Sequence, residues 1–243
     1  MLPFLLLAGV LVLASPAAAD DHTRLSFLNN VSAEAYAGWD SQYVLEGRDD
    51  GGGYGSYAAG VAMGYKGFSV FFDHFSVDKN EYTELNYGIG YETEFQGVGI
   101  SLGYARFDYP APDSEDADNQ FSAEIAYGSI PYISPWVSFA YHIEEGEGDE
   151  NGSFAAIGTS VDIPEFGIVT VSPYAFQAFD LGYRYDGKKG ANNFQVGVEA
   201  SLALWEKVAL VSHINHSFKQ KTLKASGDAA VGTWGGVSMS FSM

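Results

Sequence analysis

The stretch Tyr82–Phe107 sets the tightest limit on the fold. In Tyr82–Tyr91 the odd positions Leu85, Tyr87, Ile89 and Tyr91 are apolar or aromatic, while Glu84, Asn86, Gly88 and Gly90 are polar or small. After a turn-like segment, Glu92–Gly97, Val98, Ile100, Leu102 and Tyr104 alternate with Gly99, Ser101, Gly103 and Ala105. Side chains alternate faces along a strand, so this predicts a β-hairpin with one bulky apolar face and one small or polar face. Each arm is about ten residues long, the length a tilted strand needs to cross a bilayer. A soluble sandwich buries its bulk; a barrel in lipid turns it outward.

The same alternation recurs along the chain. Tyr57, Ala59, Val61, Met63 and Tyr65 alternate with Ala58, Gly60, Ala62 and Gly64, and Phe194, Val196, Val198, Ala200, Leu202 and Leu204 alternate with Gln195, Gly197, Glu199 and Ser201. Val31–Val44 reads as a first strand, Phe68–Phe75 as a strand of ambiguous facing, and Pro173 as the mark of a bulge within Ile168–Phe179. About twelve segments of this kind are separated by alternately short and long connections. Lys66-Gly67, Glu92–Gly97, Ser129–Ser134, Ile163–Gly167 and Trp205–Lys207 form the short set; polar loops near residues 47–54, 108–119, 144–151, 181–193 and 219–228 form the long one. This predicts an all-β fold: a closed antiparallel transmembrane barrel of about 12 strands with short periplasmic turns and longer extracellular loops. In Gly236–Met243 the residues Met239, Phe241 and Met243 alternate with Ser238, Ser240 and Ser242, a pattern similar to the C-terminal insertion signal of outer-membrane proteins.

Residues 1–19 are an apolar run ending in Ala17-Ala18-Ala19, which reads as a cleaved signal peptide, with a membrane anchor as the other reading. Residues 20–30 form a short periplasmic lead and residues 31–243 the barrel. The chain has no Cys, so neither a disulfide scaffold nor a thiol-ligated zinc site is expected. A net charge of −19 disfavours nucleic acid as a partner and simple adhesion to anionic lipid. The expected partners are outer-membrane lipid and lipopolysaccharide, the barrel-assembly machinery and small hydrophilic solutes. No cofactor or metal is expected.

Glu34, Asp40, Glu84, Glu124 and Glu199 all fall on small or polar faces. A bare carboxylate is costly in a dry core, so these residues imply interior water or hydrogen-bonding partners. Interior carboxylates attract cations, and they are the candidate pore-lining residues of a cation-favouring path. Arg106 falls on the opposite face near a strand end, where it can snorkel. The long loops segregate charge: Asp113, Glu115, Asp116 and Asp118, then Glu144, Glu145, Glu147, Asp149 and Glu150, are acidic. Arg184, Lys188 and Lys189, then Lys219, Lys221 and Lys224, are basic. These loop charges steer solutes, bind divalent ions, or are simply solvated. Trp136, Trp205 and Trp234 read as interface girdle and barrel packing.

Three functions follow. The first is a porin-like channel for passive diffusion of small hydrophilic solutes or cations, which is not an enzyme. The second is a non-conducting structural or adhesion barrel acting through its acidic loops. The third is a barrel lipid hydrolase, for which His213-Ile214-Asn215-His216-Ser217 is the candidate constellation; by parity His216 and Ser217 lie on opposite faces. At Trp39–Asp50, followed by Gly60–Phe72, the sequence resembles the TorF family of outer-membrane porins. The resemblance rests on a Ser-x-Tyr-x-x-x-Gly segment, here Ser41 to Gly47, followed by a strand with a Gly-rich inner face. The family usually has Arg before that Gly; this chain has Glu46, with Arg48 just beyond. The resemblance implies a small porin-like barrel and no catalytic residues.

Overall fold

The computed structural model describes residues 31–79, 82–110, 117–145, 151–161, 163–164, 166–183, 189–226 and 232–243. Among the sequence expectations, the leader and lead (1–30) and Asp113, Glu115, Asp116, Glu147, Asp149, Glu150, Arg184 and Lys188 lie outside them. The elements are β1 (Val31–Asp40), a short ribbon of β2 (Val44–Leu45) and β3 (Arg48–Asp49), β4 (Ser56–Tyr65), β5 (Phe68–Val77), β6 (Thr83–Phe95) and β7 (Val98–Asp108). They continue with β8 (Ala117–Tyr127), β9 (Ile133–Glu145), β10 (Gly152–Val161), β11 (Val169–Asp180), β12 (Gly190–Trp205), β13 (Val208–Lys219), α1 (Lys221–Ser226) and β14 (Thr233–Ser242).

Every strand except the ribbon pairs antiparallel with its sequence neighbours, and β14 closes on β1 from Glu34↔Ser242 to Asp40↔Gly236. The result is a closed barrel of twelve strands. Closure leaves no edge with unpaired backbone groups, which is the condition for crossing lipid with strands. The tight turns explain the register. Lys66 and Gly67 have φ of 50° and 84°, and Gln96 and Gly97 have 51° and 78°. Two consecutive positive φ values make a type I′ turn, whose twist matches that of the paired strands. These short turns, the start of β1 and the end of β14 share the periplasmic side, and the long connections lie at the extracellular side.

The bulky face points outward, as the alternation requires. Val61, Met63, Val70, Ile89, Leu102, Ile125 and Ile214 are all exposed on the barrel wall. In water such a belt would be an aggregation surface; in a bilayer it is the lipid contact. Arg106 is on this outer face near the extracellular rim, 2.8 Å from Asp108 and 3.0 Å from Glu145.

Several boundaries differ from the sequence reading. β6 runs on to Phe95, because the alternation of Glu84 to Gly90 continues through Glu92 and Glu94, so Glu92 is in a strand instead of a turn. Pro173 causes no break: it pairs in register with Val198, and the irregularity lies between Gln177 and Phe179. The β10 ladder ends at Ser160↔Tyr174, so one flank of Pro173 is an edge, where a missing N–H is tolerated. The basic loop after β13 contains α1, whose buried Thr222 donates to Ala191 O at 3.1 Å. Trp136 and Trp234 face inward and are buried, while Trp205 is 70% exposed on the outer wall.

Candidate functional site

β1 ends at Asp40, four residues before the expected end of the first strand, and residues 41–55 turn into the lumen. Tyr43 N donates to Tyr54 O at 3.2 Å, and Asp50 N donates to Tyr43 O at 3.0 Å. Between them the β2–β3 ribbon turns at Glu46-Gly47, with φ of 52° and 78°, another type I′ pair. Its tip is fastened to far strands. Asn192 Nδ2 on β12 donates to Glu46 O at 2.7 Å, and Glu46 Oε1 lies 3.9 Å from His142 Nε2 on β9. In the closed order β9 stands opposite β1, with five strands between them on either side. The loop therefore spans the lumen.

Glu84 holds the near side of that loop. Its carboxylate accepts from Tyr43 Oη at 2.5 Å, Tyr82 Oη at 2.7 Å and Asn86 Nδ2 at 2.6 Å. Three donors offset the desolvation of a residue that is 3% exposed. Burial and the Glu84 charge push both phenols well above their ordinary range, so both remain donors. On the far side Asp118 is buried, not solvated in a loop as the sequence suggested, because β8 begins at Ala117. Asp118 Oδ2 lies 2.9 Å from His142 Nδ1 and accepts from Tyr183 Oη at 2.7 Å. Tyr183 stacks on His142 at 3.7 Å, and Asp180 accepts the N–H groups of Gly182 and Tyr183. Gln120 Nε2 completes the group, 3.0 Å from His142 Nε2.

The small inner faces are seats for neighbouring side chains. Tyr36, Gly60 and Asp73 form one row across β1, β4 and β5, and Tyr36 Oη donates to Asp73 Oδ1 at 3.1 Å over the glycine. A Cβ at Gly60 would collide with that oxygen. Gly236 plays the same part between Asp40 and His213, whose Oδ1 and Nε2 are 2.8 Å apart. Asp73, Glu92, Glu46 and His142 were not among the candidates; all four now join the interior.

The five predicted carboxylates all face inward, but their surroundings differ. Glu84 is tied by three donors, Asp40 is paired with His213, and Glu199 stands beside His213 in register. Glu34 and Glu124, with Glu92, are half-buried in the periplasmic half and make no hydrogen bond or ion pair among the described residues. Glu92 and Glu124 flank Ser101 from adjacent strands. Apart from Lys219 at the exposed end of β13, no described inner position of a barrel strand carries Lys or Arg. Of the loop charges, Glu144 and Glu145 end β9, Glu145 pairs with Arg106, and Lys189, Lys221 and Lys224 are exposed. His216 bonds Thr233 at 2.8 Å on the outer face, whereas Ser217 accepts from Asn193 at 3.1 Å inside, so no Ser–His pair forms there. Among the described residues no cluster of His, Asp and Glu has metal-binding spacing.

No family model matches the chain, and no curated protein matches it. Solved structures do. A KdgM porin in complex with disordered oligogalacturonate is similar at 8% identity and a TM-score of 0.57, over 86% of this chain and 98% of that one. A NanC porin is similar at 8% identity and a TM-score of 0.55, again over 86% of this chain and 98% of that one. At such identity the likeness is one of architecture. The chain has the closed twelve-stranded fold of outer-membrane porin-like barrels.

Proposed function

We propose that the chain is an outer-membrane porin-like channel, of the kind the TorF resemblance implies, that passes small hydrophilic solutes by diffusion and favours cations. The observation that carries this reading is the sign of the interior: Glu34, Glu92 and Glu124 face the periplasmic half with no basic residue beside them on the described inner faces. Unpaired interior carboxylates concentrate cations and repel anions. A similar porin is described with oligogalacturonate, a polyanion; an acidic lumen has the opposite preference. Residues 1–19 serve as the export signal, the apolar belt meets lipid and lipopolysaccharide, and β14 presents the alternation read by the assembly machinery. No catalytic step is assigned. Planar-bilayer recording of the refolded protein tests the reading: stepwise conductance with a cation-selective zero-current potential supports it, and no conductance above lipid removes the channel.

A second reading has its own support. The extracellular half is filled by residues 41–55 and by buried side chains such as Phe107, Phe154 and Gln120. A barrel sealed at that level is a non-conducting structural or adhesion protein acting through its outer loops, and silent bilayers with retained barrel folding would favour it.

A further inference from the structure

The extracellular end carries its charge unevenly. Around β7 and β9 the outer-wall base Arg106 is neutralised by Asp108 and Glu145. Around β12 and β13 the sign reverses. Lys189 precedes β12, Lys219 ends β13, and Lys221 and Lys224 lie on α1; all four are exposed. Lys219 is in register with Asn193, so the adjacent strands β12 and β13 bring the four into one sector. The stem of Lys189 runs against Gly182, where a Cβ would stand 2.9 Å from its Cε, and a Cβ on Gly190 would stand 4.0 Å from Lys221 Cδ. Lys221 and Lys224 are three residues apart on the helix and share a face. That face is fixed in place: Gln220 N donates to Asn192 O at 2.8 Å, Gln220 Nε2 donates to Gln177 Oε1 at 2.9 Å, and Thr222 and Leu223 are buried. None of the four ammonium groups has a hydrogen bond or ion pair among the described residues. Of the described residues at this end of β11, β12 and β13 only Asp180 is acidic, and it is fully buried, accepting the N–H groups of Gly182 and Tyr183.

The outer wall of the same two strands carries the exposed pair Val198–Ile214 and, nearer the extracellular end, Phe194–Phe218, whose rings stack at 6.2 Å. Lys219 is the next residue after Phe218, and Gly182, against which Lys189 runs, follows the exposed Leu181. A strand rises about 3.3 Å per residue, so the lysines begin within a residue or two of the top of the lipid-facing belt. That is the level of the outer-leaflet headgroups. Like charges held together repel, and within this sector no described surface acid relieves them, so the counter-charge comes from outside the chain. We propose that this sector is a docking surface for phosphorylated lipid headgroups of the outer leaflet, with the four lysines facing phosphate and Phe194 and Phe218 meeting the acyl chains below. An ammonium group binds phosphate as a point charge and needs no fixed fork geometry. The net charge of −19 opposes general adhesion to anionic lipid, but screening over about 8 Å at physiological salt lets the local sign decide. This surface goes beyond the channel reading and does not require conduction.

The test uses the full mature protein, refolded in detergent and verified as a barrel by heat-modifiable migration on a gel. Native mass spectrometry follows its titration with bisphosphorylated lipid A, with the same lipid after removal of both phosphates, and with glucose 6-phosphate. The expected result is saturable binding of the bisphosphorylated lipid that weakens as ammonium acetate is raised. Lys221→Gln combined with Lys224→Gln should weaken it about tenfold, as should Lys189→Gln combined with Lys219→Gln. Lys66→Gln combined with Lys207→Gln makes the same change of charge at the periplasmic turns and should leave the affinity as it is. Equal affinity for the dephosphorylated lipid shows that acyl contact alone holds it and overturns the proposal. Glucose 6-phosphate bound as tightly as the lipid marks a site for soluble anions and overturns it too. Unchanged affinity in both lysine pairs of the sector, or an equal loss in the periplasmic pair, has the same consequence.

Discussion

The interior carboxylates fall into two groups that the sequence does not distinguish. In the extracellular half, Glu84, Asp118 and Asp180 are buried, and each accepts hydrogen bonds from named donors. In the periplasmic half, Glu34, Glu92 and Glu124 are half-buried and have no protein partner among the described residues. Both groups satisfy the same alternation on the same kind of strand. The difference lies in what reaches them: residues 41–55 and Tyr183 fold over the first group, and nothing comparable among the described residues covers the second. A carboxylate surrounded by donors holds structure together, whereas one facing water is available to ions. The proposed division is therefore an outer constriction built on buried acids and an inner vestibule lined by free ones.

The largest expected effect comes from removing the constriction. Deleting residues 42–53 and joining the flanks with a short Gly/Ser linker should raise single-channel conductance severalfold while cation preference survives. Unchanged conductance would mean that the loop does not limit the path. Next is Glu84→Leu, which leaves the donors Tyr43, Tyr82 and Asn86 without their acceptor. We expect a loss of about 3 kcal/mol or more in reversible urea unfolding, at about 1–3 kcal/mol for each buried group left unsatisfied. Gly60→Val should cost about 1–3 kcal/mol by overpacking, because its Cβ meets Asp73 Oδ1; a neutral result would show that Tyr36 and Asp73 can part freely. The smallest effect belongs to the vestibule. Glu92→Gln should change stability by less than about 0.5 kcal/mol, and a loss comparable with that of Glu84→Leu would erase the distinction between the two groups.

Much of the barrel was legible because strand alternation has a period of two and each side chain must choose lipid or lumen. The facing of Glu34, Glu124 and Glu199 follows from that alone. Asp73 could also have been found. The two-residue turn at Lys66-Gly67 pairs Tyr65 with Phe68, so both share the outer face, and counting five residues on from Phe68 puts Asp73 inside. Glu92 was missed because the strand was ended at the first charged residue after Tyr91, although the parity continues. The inward loop is a different matter. Its fastening joins Glu46 to Asn192 and to His142 on the opposite wall, contacts between residues far apart in sequence that no local pattern encodes. The Glu46-Gly47 turn was visible as a dipeptide, but whether its hairpin points to solvent or into the barrel depends on the donors waiting there. The same holds for Asp118, which reads as loop charge until His142 and Tyr183 are seen around it.

The cation preference of the vestibule is read from the zero-current potential across a potassium chloride gradient, measured for the native protein and for the combined Glu34→Gln, Glu92→Gln and Glu124→Gln variant. Free carboxylates in the vestibule predict a potential of cation-selective sign for the native protein, moved well towards zero in the variant, with barrel stability unchanged. A native potential of anion-selective sign, or a variant that keeps the native value, would contradict it.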